Sequence, residues 1–249
     1  MTCSTRYERQ ARQAGYRRVA GVDEVGRGAL FGPVVAAAVI LDPERPIRGL
    51  NDSKQLDPET RQRLAVRIRD RAVAWQVAFV DAARIDQWNI YQASRVAMRR
   101  AVQALTPAPD YLLVDALCLD VDCPQRALIH GDALSFSIAA ASILAKVERD
   151  AVITEWDSVF PEYRLAGNKG YYTPEHCAGL ERAGSSPLHR LSYAPVAAAS
   201  RFPVSCGLVE IGDGNQLHFS WDECPDQPDG DVWKPKSDGV PAPAPGGRF

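Results

Sequence analysis

Four carboxylates stand out because each closes, or closely follows, a short apolar run. Asp23 and Glu24 end the run that begins at Val19, Asp115 ends Leu112-Leu113-Val114, and Asp132 follows a further short run. Each has an ordinary explanation when taken alone. Asp-Glu can simply open a turn, strand-end acids recur in unrelated α/β proteins, and Asp132 could cap the helix that follows it. Acidic groups at the end of a buried strand are nonetheless costly unless they are paired or bind a metal. If the three runs are neighbouring strands with these ends on one edge, four carboxylates converge. Such a cluster would hold divalent cations, because hard Mg2+ or Mn2+ prefers oxygen ligands and keeps several waters. Two ions about 4 Å apart activate a water and stabilise the leaving oxygen of a phosphodiester.

The elements that must position these acids can be read from pattern. Val19–Val25 and residues 33–41 read as two strands joined by a Gly-rich turn, Gly26-Arg27-Gly28. Asp57-Pro58 is a helix start, with Asp as the cap and Pro at the first position, and the helix runs to about Arg71. Ala74–Val80 is a further strand. Residues 90–105 carry apolar side chains at helical spacing and stop before Pro107. Residues 111–114 and 127–129 read as short buried strands, 136–159 as a long helix with an Ala-rich face, and Pro174–Ala183 as a shorter helix. Alternating strands and helices predict an α/β mixed sheet with helices on its faces. Residues 205–249 are rich in Pro, Gly and Asp. They read as an acidic, largely disordered tail appended to a domain spanning residues 1–204.

Composition limits the alternatives. The 249 residues are 46% apolar, enough for one substantial core. The longest apolar run, residues 32–41, is too short to span a bilayer, and the Arg-bearing N-terminus is not a secretory signal. A cytoplasmic monomer with no membrane association is expected. Six scattered Cys form no C-x-x-C pair, so reduced thiols rather than a structural zinc site are expected. Residues 1–201 hold 26 Lys and Arg against 23 Asp and Glu, and residues 202–249 hold 3 against 8. That balance is not the footprint of a strong general nucleic-acid binder, so substrate binding must come from local placement of charge. Residues 1–201 contain 23 Arg but only three Lys, namely Lys54, Lys146 and Lys169. A compact ammonium point charge is one reason to keep Lys in such a chain; chance is the other.

The ordered motifs resemble those of ribonuclease HII, the bacterial type 2 ribonuclease H family. The resemblance runs from Val19-Ala20-Gly21-Val22-Asp23-Glu24-Val25-Gly26-Arg27-Gly28 and Gly32-Pro33-Val34-Val35 through Asp52-Ser53-Lys54. It continues through residues 89–102, Gly131-Asp132, residues 137–150 (SIAAASILAKVERD), Asn168-Lys169-Gly170-Tyr171 and His189-Arg190, and so covers roughly residues 17–200. It implies a ribonuclease H-like fold with a mixed five-stranded sheet and a C-terminal helical region. It implies an endonuclease that acts on RNA–DNA hybrids and on ribonucleotide-containing duplex DNA with Mg2+ or Mn2+. By the same resemblance Asp23, Glu24, Asp115 and Asp132 are the catalytic metal-binding carboxylates. Gly26, Arg27 and Gly28 form the loop that reads the ribose 2′-OH, and Tyr171 packs on the junction sugar. Lys54, Lys146 and Lys169 sit at positions suited to phosphate contacts.

The chain departs from the family pattern at Ala116 (usually Gly), His130 (often Lys), Leu191 (often Arg) and Tyr172 (commonly small or Pro). None of these removes a metal ligand, but Tyr172 leaves open which of two adjacent rings packs on the sugar. The same motifs admit two other readings: a catalytically weak relative that only binds nucleic acid, and a ribonuclease HIII-like enzyme. Burying four acids brings nothing to a binding module. Ribonuclease HIII carries an extra N-terminal domain, whereas about 18 residues precede the first strand here. A dinucleotide-binding loop at Gly26 is excluded by its spacing and by the strand that follows.

Overall fold

The computed structural model describes residues 3–200. The expected domain boundary at 204/205 and the acidic tail lie outside the described residues. Five strands form one mixed sheet in the order β3-β2-β1-β4-β5. They are β1 (Val19–Val25), β2 (Val34–Ile40), β3 (Ala74–Val80), β4 (Tyr111–Asp115) and β5 (Gln125–Leu128). β1 pairs with β2, and β2 with β3, antiparallel. β1 pairs with β4, and β4 with β5, parallel. The helices are α1 (Arg6–Gln13), α2 (Pro58–Arg71), α3 (Ala82–Trp88), α4 (Ile90–Gln103), α5 (Phe136–Trp156), α6 (Leu165–Asn168), α7 (Pro174–Ala183) and α8 (Ala194–Ala199). No helix among the described residues is long and apolar enough to cross a membrane.

β2 shows how the sheet divides its core. All seven of its residues are buried, because side chains alternate between two covered faces. Val34, Ala36, Ala38 and Ile40 pack with Ala93, Ala97, Met98 and Ala101 of α4. Val35, Ala37 and Val39 pack with Leu64, Ala65 and Ile68 of α2 and with the Ala-rich face of α5. Caps fix where the helices begin. Asp57 accepts from Thr60 N at 2.8 Å ahead of Pro58, Asp81 from Arg84 N at 2.8 Å, and Asn89 from Gln92 N at 3.0 Å.

α5 lies directly on β1. A Cβ built on Gly21 would stand 2.0 Å from the backbone carbon of Ser137, so strand and helix meet backbone to backbone. The residue that caps α5 is Ser135, whose Oγ accepts from Ile138 N. The cap reading of Asp132 therefore fails; Asp132 lies in a one-turn 3-10 helix, Gly131–Ala133. Glu8 of α1 is buried and accepts from Ser135 Oγ at 2.6 Å and Ser137 N at 2.8 Å. It places a carboxylate at the positive end of α5.

A separate apolar cluster joins Leu30 and Phe31, after β1, to Ile153, Tyr163, Leu165, Leu180 and Val196. It docks the C-terminal helices against the loop that follows the Gly-rich turn. Cys3, Cys123 and Cys177 are free thiols.

Gly21→Ala should cost at least about 3 kcal/mol, since the clash is with backbone and nothing flexible can yield. Gly167→Ala, where a Cβ would meet nothing within 4 Å, should stay within about 0.5 kcal/mol of wild type. Urea unfolding of the two variants checks this, and equal stabilities would contradict the backbone contact between β1 and α5.

Candidate active site

Parallel pairing sets the site. β1 and β4 run side by side with Val22 opposite Val114, so their C-terminal ends share one edge and the next residues, Asp23 and Asp115, emerge together. Glu24 follows on β1. β5 pairs Leu128 with Asp115 and delivers the chain to the turn holding Asp132. The four predicted carboxylates thus come from three elements to one edge. Among the described residues no group of three or more Asp, Glu, His or Cys side chains is gathered tightly enough to hold an ion as it stands. They converge on an edge rather than on one point.

Each acid is held individually. Asp23 is buried and accepts from Glu24 N at 2.7 Å, and the nearby Ser142 hydroxyl offsets part of the rise in its proton affinity. Ser142 Oγ in turn lies 2.9 Å from Ser53 Oγ. Asp115 Oδ1 accepts from Gly131 N at 2.7 Å. Glu24 Oε1 pairs with Arg27 Nη1 at 3.3 Å, while Glu24 Oε2 is buried without a hydrogen-bond partner. Asp132 Oδ2 lies 3.8 Å from Lys54 Nζ. All four carboxyl groups titrate above the usual range. Burial is the largest cause at each, and nearby acids add to it: Glu24 and Asp115 at Asp23, Asp115 at Glu24, and Asp52 at Asp115 and Asp132. An oxygen-only set of mutually repelling acids, one with an orphaned buried oxygen, is the donor chemistry that suits a hard divalent cation.

The Gly-rich turn leaves β1 directly beyond the acids. Gly26 has φ +91°, and a Cβ there would meet Arg149 Nε at 2.2 Å, so conformation and space both demand glycine. Gly28 is exposed and faces open space. Tyr171 is half-buried, pairs with Ala29 and has its ring against Arg149 and Lys146, at 5.1 and 5.5 Å. Tyr172 is 63% exposed, so Tyr171 is the ring braced beside the turn. Of the three lysines, Lys54 joins the carboxylates. Lys146 pairs with Asp150 at 2.8 Å beside Tyr171. Lys169 donates its ammonium to Thr154 Oγ1 at 2.7 Å and Ala166 O at 2.6 Å.

Three contributors have no assigned role in the sequence reading. Asp52 is a fifth acid, whose charge raises the proton affinity of Asp132 and Asp115; the Asp-Ser-Lys motif contained it, but it closes no apolar run. Arg149 and Arg190 are fully buried and spend their guanidinium groups on backbone carbonyls. Arg149 donates to Phe31 O, Pro33 O and Lys169 O, at 3.1, 3.1 and 2.9 Å. Arg190 donates to Gly32 O at 3.0 Å and Arg27 O at 2.8 Å. Together they brace both ends of the turn and tie it to the Tyr171 loop. Ala116, one of the departures, adopts φ +52°, which accounts for a usual glycine there.

A model of the family described as Ribonuclease HII matches residues 20–196. The chain is 66% identical over 202 residues to the ribonuclease HII of Solibacter usitatus, covering 81% of this chain and 89% of that one. It is 61% identical to that of Koribacter versatilis, covering 80% and 79%. Among solved structures, the ribonuclease H2 of Pyrococcus horikoshii OT3 superposes with a TM-score of 0.65 at 27% identity, covering 74% of this chain and 97% of that one. With the motifs, the sheet order and these likenesses in agreement, the chain belongs to the ribonuclease HII family and is a ribonuclease H.

Proposed function

We propose that this ribonuclease H is an endonuclease that cuts on the 5′ side of ribonucleotides embedded in duplex DNA and hydrolyses the RNA strand of RNA–DNA hybrids. The ends left are a 3′-hydroxyl and a 5′-phosphate, and the biological role is ribonucleotide removal during DNA replication and repair. The observation that carries the reading is the run of Asp23, Glu24 and the Gly26-Arg27-Gly28 turn, in which the exposed backbone of Gly28 follows the carboxylates within one short turn.

Asp23, Glu24, Asp115 and Asp132 would hold Mg2+ or Mn2+, with the orphaned Oε2 of Glu24 as a ready ligand. A bound ion pair supplies an activated water and positive charge against the leaving oxygen. The chain's own residues supply placement. Gly131 N–H and Glu24 N–H fix the directions of Asp115 and Asp23. Lys54, with its side chain 82% exposed, offers a point charge to a substrate phosphate beside the acids. Gly26 and Gly28 let backbone approach a ribose closely, and the 2′-OH is the group that separates RNA from DNA. Tyr171, bridged to Ala29, presents its ring to the sugar at the junction. Specificity on this reading is local, as the near-neutral charge of residues 1–201 requires.

A labelled duplex carrying one ribonucleotide should be cut once, 5′ to that residue, only when Mg2+ or Mn2+ is present. Equal cleavage of an all-DNA duplex would remove the 2′-OH reading. Asp23→Asn and Asp115→Asn should each lose most turnover while keeping the fold. In EDTA the Asn variants should melt at or above the wild-type temperature, because repulsion among close acids is relieved. Near-normal turnover in both variants would remove the metal assignment.

A further inference from the structure

Two buried histidines meet ring to ring behind Tyr171. His176, on α7, and His189 are each 1% exposed or less, and their Nε2 atoms lie 3.0 Å apart. His189 Nδ1 faces Ser186 N at 3.0 Å and Ser186 Oγ at 2.9 Å. His176 Nδ1 faces the carbonyl oxygen of Tyr171 at 2.9 Å.

The protons in this chain can be assigned without freedom. A backbone amide only donates, so His189 Nδ1 accepts from Ser186 and its ring proton sits on Nε2. A bond between two Nε2 atoms holds one proton, so His176 Nε2 accepts it. The proton of His176 is then on Nδ1, which donates to the Tyr171 carbonyl. Ser186 thus sets the tautomer of His189, and His189 sets that of His176. Burial keeps both rings neutral, pushing His189 down to about 3 and lowering His176. Phe31 and Tyr163 pack edge-on against His189, at 5.0 and 4.5 Å, and the Tyr163 hydroxyl is spent on Gly184 O.

The pair also closes a ring of backbone segments. Leu30 N and Phe31 N donate to Gly170 O on one side, and Gly32 N donates to Leu188 O on the other. The His176–His189 bond joins those two flanks directly. The distance between the Gly26-Arg27-Gly28 turn and Tyr171 is therefore held from both sides.

We propose that His176, with its tautomer locked by His189 and Ser186, is a positioning residue that fixes Tyr171 against the Gly-rich turn and so sets selectivity for an isolated ribonucleotide. This rests on the reading of Tyr171 as the ring that packs on the junction sugar. An isolated ribonucleotide has one register in which the 2′-OH meets the turn while the neighbouring sugar meets Tyr171. A long hybrid offers a 2′-OH in every register. An error in spacing therefore costs the single-ribonucleotide substrate more.

The test measures kcat and KM, with Mg2+ or Mn2+ saturating, on a duplex carrying one ribonucleotide and on a long RNA–DNA hybrid. His176→Phe keeps the ring size but removes the donor to Tyr171 O. It should lower kcat/KM on the single-ribonucleotide duplex about tenfold relative to the hybrid, the scale of one buried carbonyl left unsatisfied. His176→Asn sets an amide nitrogen near the Nδ1 position and should restore most of that ratio. In a Tyr171→Ala background, His176→Phe should change the ratio no further. A wild-type enzyme that is selective for ribonucleotides but shows no change of ratio on Tyr171→Ala would overturn the reading of Tyr171. If Tyr171→Ala does shift the ratio, that reading stands. In that case, an equal loss on both substrates in His176→Phe, or its full effect persisting in the Tyr171→Ala background, overturns the positioning role alone. Failure of both His176 variants to fold would assign the pair to the core and overturn it too.

Discussion

Like charge is held together here against its own repulsion, and most of the architecture can be understood as what holds it. Asp23, Glu24, Asp115 and Asp132 raise one another's proton affinity and are buried as well. No local turn could keep them in place; they need strands fixed in register from behind. The parallel β1–β4 pairing does this, and the backbone contact of Gly21 with Ser137 locks the helix that covers it. The cations nearby, Arg27 at Glu24 and Lys54 at Asp132, are partly or largely exposed. They offset the repulsion only in part, so the acids stay together because the sheet fixes their positions.

The loops beside this edge are organised by a different device. Arg149 and Arg190 bury their guanidinium groups against carbonyls rather than carboxylates. A rigid fork of five donors can reach carbonyls in several segments at once, which a lysine cannot do. The outcome is a turn of two glycines and one arginine whose central carbonyl, Arg27 O, is held from behind by Arg190 and Tyr193. The arrangement also leaves positive charge buried beneath the loops. Arg149 is lowered only to about 10 by burial and stays charged at neutral pH.

What the sequence made legible follows from the kind of signal each feature leaves. β1, β3, α2 and α7 fall within a residue of their predicted bounds because apolar alternation, an Asp-Pro start and a Pro-led turn are local signals. α1 (RYERQARQ) and α3 leave no such signal: one is almost wholly polar and the other is a helix of only seven residues that starts at the Asp81 cap. The long helix was carried three residues too far, to Val159, which is exposed beyond the last turn. The four acids were legible because each ends or closely follows an apolar run. Arg149, Arg190 and the histidine pair were not, because their partners are backbone carbonyls or each other across sequence distance, and a carbonyl has no letter in the sequence.

The strained positions show where the fold gives way to the site. Ala116 and His130, at φ +52° and +57°, directly follow Asp115 and precede the turn that carries Asp132. A left-handed conformation costs a non-glycine residue roughly 1 kcal/mol or more, and such positions persist only where their surroundings over-determine them. Here Ala116 N donates to Leu128 O and Gly131 N donates to Asp115. These bonds tie both ends of the strained stretch to the β4–β5 pair. Relaxing either residue would swing a carboxylate off the shared edge, so the local cost is borne to keep Asp115 and Asp132 facing the same side as Asp23 and Glu24.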